Sequence, residues 1–341
     1  MISIVICSTH PELDASLQEN IRATIGVAFE IVLIDNSNNE YNIFSAYNEG
    51  VKRAKGDILC FMHQDVRFHS TDWGRHVEFY LSDHHLGILG LAGGSLIPAK
   101  GDWRFKISSM HMLQGYSTLT NPSLYYTVDV DSNSCAPLSK VAVIDGVWFC
   151  VRRELFVNEL VRFDENNFHG FHLYDSDICM QVNKLGLDIA VCSGVRLEHF
   201  SDGVFSRLFL EEMQVFLKKW EKELPVVRGL YMTEEEIRNF TENVDNLLRQ
   251  RVEEDEKVMA IRLFWEKKDA GFRLNPLPIE CKAMIEAAQY DQTKRVIKSR
   301  VSEKDALNAL RNYRRIDNPH RYYRLLYYFI VYRFFLRCRL K

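Results

Sequence analysis

Ile58-Leu59-Cys60-Phe61-Met62-His63-Gln64-Asp65 is an apolar run that breaks into polar residues at a single step. Asp57–Met62 reads as a strand buried on both faces, with His63-Gln64-Asp65 as the turn beyond its carboxyl end. Upstream, Tyr41–Lys55 has helical spacing and is closed by Gly56. Before it, Glu30–Ile34 is another apolar strand that runs into the polar cluster Asp35-Asn36-Ser37-Asn38-Asn39. Leu13, Leu17, Ile21 and Ile25 fall at four-residue intervals and predict a helix over Glu12–Ile25, while Ile2–Cys7 predicts the first strand. Downstream, Thr71–Ser82 predicts a helix capped by Asp72 or Ser70, and Leu86–Leu91 a fourth strand ahead of Gly93-Gly94. Short strands alternating with such helices imply βαβ units, hence an α/β fold around a mainly parallel central sheet.

In an open parallel sheet, ligands bind beyond the carboxyl ends of the strands. Here those ends carry Ser8-Thr9-His10, Asp35-Asn36-Ser37 and His63-Gln64-Asp65. Each is also where a plain turn would fall, but Asp65 directly follows the apolar run and is the hardest to assign to a turn alone. A second concentration lies in 163–179, which contains His169, His172, Asp175 and Asp177. Asp175 and Asp177 open an apolar helical pattern over Asp175–Leu185, where free backbone N–H groups favour a carboxylate. One of the two is expected to be the N-cap, which leaves the other available for chemistry. Val191–His199 is strand-like and ends in Glu198-His199. A lone His at a strand end is ordinarily structural. Together with Asp65 it offers a carboxylate oxygen and an imidazole, donors suited to Mn²⁺ or Mg²⁺ on a substrate diphosphate.

The rest of the chain bounds the answer. Its 341 residues are 47% hydrophobic and 26% charged, which excludes a collagen-like, low-complexity or wholly disordered chain. No 18-residue apolar run is present, which argues against a polytopic membrane protein. The start, Met1-Ile-Ser-Ile-Val-Ile-Cys, lacks the basic region of a signal peptide. The eight cysteines include no CxxC pair and fall mostly in apolar runs, as expected of reduced core residues in a cytoplasmic protein. Residues 95–140, rich in Ser, Asn, Tyr and Gly, read as long functional loops, with strands following at Val141–Val151 and Asp188–Val191. After about residue 204 the character changes to charged helical patterns at Phe205–Glu223, Thr233–Glu256 and Glu280–Lys298.

The order of these pieces resembles the family 2 type of GT-A glycosyltransferase over about residues 1–204, and within it the branch named for the streptomycin-biosynthesis protein StrF. The opening strand with Ser8-Thr9 is similar to the family's first nucleotide-binding strand. Ile31-Val32-Leu33-Ile34-Asp35-Asn36-Ser37 resembles its "VVDDGS" segment, and Tyr47-Asn48-Glu49-Gly50 with Ala54-Lys55-Gly56-Asp57 resembles "RNxG…AxG". Phe61-Met62-His63-Gln64-Asp65 stands where the family has "FLDSD". Tyr174-Asp175-Ser176-Asp177-Ile178-Cys179 resembles "EDVDLC", and Glu198-His199 resembles the late His of the metal site. Three positions depart from the pattern: His63 replaces the first acid of the DxD motif, Tyr174 the Glu before the base, and Gln181 a common Arg.

The resemblance implies a GT-A nucleotide-diphospho-sugar transferase fold over 1–204 and a C-terminal helical region over 205–341. It implies a metal-dependent, inverting transfer from a nucleotide-diphosphate sugar to a glycan or lipid-linked acceptor. Ser8, Thr9, Asp35, Asn36, Gln64 and Asp65 would bind the donor, and Asp65 and His199 would hold Mn²⁺ or Mg²⁺. Asp175 would be the base, with Asp177 the runner-up. Asp145, Gly146 and Trp148 would line the sugar or acceptor pocket, Trp148 either stacking on a sugar or serving as a core residue. The chemistry is coherent. A cation neutralises the departing diphosphate, a base deprotonates the acceptor hydroxyl, and a single displacement inverts the anomeric centre. The rival expectation is a catalytically inactive binding or scaffold module on the same fold. A nucleotidyltransferase is disfavoured by the lack of a Gly-rich, Lys-containing loop after the first strand.

The chain carries a net charge of −3, unevenly spread. Residues 311–341 hold nine Lys or Arg, one Asp and nine Tyr or Phe, a net +8 that leaves −11 on the remainder. Tyr322–Leu340 is too short in its apolar part to span a bilayer. It suits a segment lying at an anionic membrane surface, a terminal helix packed on the body, or a dimer contact. A nucleic-acid partner is not expected, because the body is acidic and no binding motif is present.

Overall fold

The computed structural model describes residues 1–117, 125–130, 137–201, 203–269, 279–298, 307, 310, 321–327 and 329. The first part of the chain runs β1 (Ile2–Ser8), α1 (Ala15–Thr24), β2 (Phe29–Asp35), α2 (Ile43–Arg53), β3 (Ile58–Met62), β4 (Val66–Phe68), α3 (Trp73–Leu81) and β5 (Leu86–Gly90). Short strands follow: β6 (Ala92–Gly94), β7 (Leu96–Ile97), β8 (Ser109–Met110), β9 (Met112–Ser117), β10 (Tyr125–Asp129), β11 (Leu138–Val141) and β12 (Val143–Ile144). Then come β13 (Trp148–Arg152), α4 (Glu154–Val157), α5 (Tyr174–Lys184), β14 (Asp188–Cys192), β15 (Leu197–His199), α6 (Arg207–Lys219), β16 (Val226–Val227), α7 (Glu234–Asp269) and α8 (Ile279–Lys298).

Seven strands form the central sheet in the order β11-β14-β5-β13-β3-β1-β2. The alternation of strand side chains assigns each to one face. Val5, Leu59, Phe61, Phe149 and Val151 join one apolar cluster, covered by α2, α5 and α6. Ile4, Ile6, Cys60, Met62, Trp148 and Cys150 join the other, covered by α1 and α3. Burial on both faces is why these strands read as continuous apolar runs. Helices α1 and α2 start where short polar side chains can accept backbone N–H groups: Asp14 accepts from Ser16 and Leu17 at 2.8 and 3.2 Å, and Asn42 from Ser45 at 2.9 Å. Gly50 lets α2 approach the sheet, since a Cβ there would collide with Val5.

The GT-A-like α/β arrangement expected from the sequence is present as a mixed sheet. β2-β1-β3 and β14-β5 pair in parallel, while β13 runs antiparallel to both β3 and β5, and β11 antiparallel to β14. Two predicted strands divide. Val141–Val151 breaks at Asp145–Val147 into β12 and β13, and Val191–His199 breaks after Cys192, so that β15 belongs to a second, four-stranded sheet. Apolarity alone does not mark these breaks; the turns at Asp145-Gly146 and Ser193-Gly194 do. The loops expected over 95–140 contain several short strands.

The chain forms two compact units, one of residues 1–116 with 127–253 and the other of 117–126 with 254–341. In the first, α6 is part of the core: Phe209, Met213, Phe216 and Trp220 are buried in the cluster that covers the sheet. In the second, Leu310 and Leu325 pack with Tyr290, Tyr322, Leu326 and Phe329. The Arg321 guanidinium lies 5.7 Å from the Tyr290 ring centroid and 3.8 Å from the Glu286 carboxylate. The described part of the tail is thus a helix packed on α8, with Tyr323 and Tyr327 exposed; Phe334, Phe335 and the rest of 330–341 lie outside the described residues. Among the described residues no helix is long and apolar enough to cross a membrane. Six cysteines carry free thiols; Cys135 and Cys338 lie outside the described residues.

Candidate active site

Three connections bring the site residues to one edge of the sheet. Ser8 and Asp35 are register partners at the ends of β1 and β2, and β3 ends beside them. Because β13 is antiparallel to β3, its leading turn Asp145-Gly146-Val147 reaches that same end, where the His63 N–H donates to Val147 O at 3.0 Å. The antiparallel pairing of β15 with β4 sets His199 opposite Val66, and the Phe200 N–H donates to Asp65 O at 2.9 Å. Ladder hydrogen bonds thereby juxtapose two residues 134 positions apart in the chain.

His63 Nδ1 lies 3.3 Å from His199 Nε2 and 3.9 Å from Asp65 Oδ1, and His199 Nε2 lies 3.6 Å from Asp65 Oδ1. Donors at about 2.0–2.2 Å from one cation stand about 2.8–3.8 Å apart for angles between 90° and 120°. The three atoms therefore fit a single divalent cation with little movement. Burial would raise the Asp65 carboxyl, but the neighbouring His199 and His63 imidazoles and the Ser201 hydroxyl outweigh it and hold it well below the carboxylate range. Burial pushes the His63 imidazole down, as does neighbouring His199. The lowered imidazole favours the neutral ring that a cation requires.

Asp175 is buried at the start of α5. Its Oδ2 accepts from Gly146 N at 3.0 Å and from Arg104 Nη2 at 3.1 Å, and its Oδ1 from Ser176 N at 2.7 Å. Burial pushes its carboxyl up to about 6, against the opposing charge of Arg104. Arg104 also contacts Asp102 at 2.9 Å and Asp145 at 3.5 Å, so one guanidinium is shared by three carboxylates. Tyr174 joins the two halves of the site: His63 Nε2 is 2.9 Å from its hydroxyl, which donates to Gly146 O at 3.0 Å. A Cβ on Gly146 would collide with that hydroxyl.

The helix opens differently from the expectation. Leu173 occupies the N-cap position with φ 62°, and neither Asp caps it from there. Asp177 instead accepts from Lys219 at 2.7 Å, Trp220 Nε1 at 2.8 Å and Gln181 Nε2 at 2.8 Å. It is committed to holding α6 against α5. In the same way, the predicted caps of α3 do not act: Asp72 makes no side-chain cap hydrogen bond.

Of the other expected residues, Thr9 and Asp35 are exposed at the strand ends. Asn36 is buried and commits its amide to both backbone groups of Tyr41, at 2.8 and 2.9 Å. Gln64 accepts from Ser8 Oγ and Thr9 N at 2.8 and 3.0 Å, so it braces the end of β1. Trp148 is fully buried, edge-on to Trp73 with ring centroids 6.0 Å apart, so the stacking role gives way to the core role. His172 is edge-on to Phe209 and His169 is exposed; neither joins the metal cluster. Arg104 and Gln114 were not legible as site residues, because they lie in the Ser- and Gly-rich region without a motif. His63 was visible only as the loss of an acid.

Residues 3–205 match the family described as "Glycosyltransferase like family". No curated protein matches the sequence. Among solved structures, GalNAc-T7 with UDP, GalNAc and Mn²⁺ is similar at 14% identity with a TM-score of 0.42, over 72% of this chain and 55% of that one. This chain thus spans about half the length of that relative. TarS 1–349 of S. aureus in complex with UDP-GlcNAc is similar at 12% identity with a TM-score of 0.40, over 89% and 82% of the two chains. The family match covers more than half of the chain and contains every residue of the site just described. This chain belongs to the glycosyltransferase-like family, whose match runs over residues 3–205 of its mixed-sheet α/β fold.

Proposed function

We propose that this chain transfers a sugar from a nucleotide-diphosphate donor to a hydroxyl of a glycan or lipid-linked acceptor, inverting the anomeric centre. The observation that carries this is the meeting of His63, Asp65 and His199 with a second carboxylate, Asp175, through Tyr174 and Gly146 at the carboxyl edge of the sheet. A divalent cation bound there supplies Lewis-acid neutralisation of the diphosphate leaving group. Asp65 and His199 hold it, Mn²⁺ or Mg²⁺ being the class considered. Exposed Thr9 and Asp35 face the donor nucleotide, and Asp145 with the Gly146 turn faces the sugar. Asp175 takes the proton of the acceptor hydroxyl; a carboxyl near 6 is mostly ionised at neutral pH and still basic enough to do so. The motif order supports a place in the StrF-like branch. The exposed Tyr323 and Tyr327 leave a peripheral membrane contact by the tail as part of the proposal.

The test is a thermal-shift screen of nucleoside diphosphates and their sugars, with and without Mn²⁺, followed by product analysis of the binders. A donor that raises the midpoint and is consumed supports the proposal; its stabilisation follows RT ln(1 + [L]/Kd). A donor that binds without turnover on any hydroxyl acceptor would turn the assignment to the non-catalytic binding module. No binding by any nucleotide would remove both.

A further inference from the structure

Two departures from the family pattern, His63 for an acid and Tyr174 for a Glu, are remote in sequence but touch in the structure. His63 Nε2 and the Tyr174 hydroxyl are 2.9 Å apart, and the hydroxyl spends its own proton on Gly146 O. The hydroxyl can therefore only accept from His63, which puts the imidazole proton on Nε2. Nδ1 is left with a lone pair directed at Asp65 Oδ1 and His199 Nε2. The second imidazole is prepared in the same manner. Gln114 Nε2 donates to Ser201 O and Gly115 O, so its Oε1 faces His199 Nδ1 at 3.3 Å and accepts that proton. His199 Nε2 then carries its lone pair toward the cluster, where the Ser201 hydroxyl, 3.2 Å away, can donate to it until a cation takes its place. An outer partner that fixes each ring's tautomer is the usual support of a metal-bound His.

From this juxtaposition we infer that His63 is a direct metal ligand oriented by Tyr174, and that the site is a two-imidazole, one-carboxylate set that selects Mn²⁺ over Mg²⁺. The inference rests on the transferase proposal for its use but not for its geometry. Imidazole nitrogen suits first-row transition cations, while Mg²⁺ demands an oxygen shell and dehydrates reluctantly. Replacing one acid of the motif by His exchanges a hard, charged donor for a neutral nitrogen and moves the preference in that direction. Tyr174 is then a positioning residue: a Glu there would add a charge beside the imidazole, whereas the hydroxyl fixes the tautomer without one.

Direct titration of the full chain, stripped with chelator, with Mn²⁺ and separately with Mg²⁺ tests this, read by calorimetry and by the electron paramagnetic resonance of free Mn²⁺. Mn²⁺ should bind at least about 100-fold more tightly than Mg²⁺. His63→Ala should weaken Mn²⁺ by about 10- to 100-fold or more, and Tyr174→Phe, which keeps the ring, by about 10-fold, the range for lost outer partners. His63→Asp should narrow the Mn²⁺ to Mg²⁺ ratio by about 10-fold by restoring a hard oxygen donor. Circular dichroism melts of each variant separate metal loss from unfolding, and the folded His63→Asp protein is the arm that does not depend on a cavity. Equal binding of Mn²⁺ and Mg²⁺ by wild type, or Mn²⁺ affinity unchanged in His63→Ala, would overturn the inference. Selective Mn²⁺ binding without any nucleotide-sugar binding would leave this site standing and refute the transferase proposal instead.

Discussion

Replacing Asp177 by Asn separates the two acids of the α5 start. The Asp177 side chain is 1% exposed and holds Lys219 at 2.7 Å, Trp220 Nε1 at 2.8 Å and Gln181 Nε2 at 2.8 Å. Asn keeps the volume and one oxygen for the indole N–H. It loses the charge that faces Lys219, and its amide nitrogen opposes either the ammonium or the Gln181 amide. Breaking a buried ion pair from one side costs about 3–5 kcal/mol. Lys219 retains Asp164 at 2.7 Å and is 24% exposed, so part of its solvation and pairing survives. That lowers the expected cost to about 2–3 kcal/mol, the scale of one charged hydrogen bond. For a domain of about 150–250 residues, 1 kcal/mol moves Tm by about 2–4 °C, so the melt should fall by roughly 5–10 °C. Circular dichroism melting gives the shift, and turnover measured well below both transitions gives the activity, expected within a few-fold of wild type. A variant that melts with the wild type while losing about 100-fold or more in turnover would make Asp177 the base and refute the clamp.

Asp175→Asn should lower turnover by about 100-fold or more and leave nucleoside-diphosphate binding unchanged, read by kinetics and calorimetry on the same preparation. Because the folded Asp175 carboxyl is raised to about 6 above its unfolded value, its contribution to stability is greatest at low pH and is lost as pH rises through 6. The Asn variant should accordingly compare better with wild type in melts at pH 8 than at pH 5. Arg104→Gln removes the cation that opposes this rise, so the acid limb of the kcat/KM profile should move upward by at least about one pH unit; an unmoved limb would mean that Arg104 does not tune the base. Deleting residues 330–341 should leave the first unit folded, and sedimentation with anionic vesicles that is lost on deletion or at high salt would assign the tail to the membrane surface.

The sheet strands were legible because β1, β3 and β5 are buried on both faces and must be apolar throughout, and the same abrupt ends that mark them also place the polar clusters. Asp65, Asp175 and His199 could be named from the sequence because each follows or opens such an element. What the chain does not write locally is how an antiparallel strand delivers Asp145-Gly146 to the end of β3, or how the β4–β15 ladder sets His199 against Asp65. Those juxtapositions are made by backbone pairing between distant segments, which no single stretch encodes. The same holds for the fates of similar residues. Asp175 and Asp177 are two positions apart with nearly the same chemistry, but the helix turns one toward Arg104 and Gly146 and the other toward Lys219 and Trp220. His63 read as a lost acid in one dimension; in three it stands beside Asp65 and His199, with its Nε2 2.9 Å from the hydroxyl of Tyr174, more than a hundred residues away in the chain.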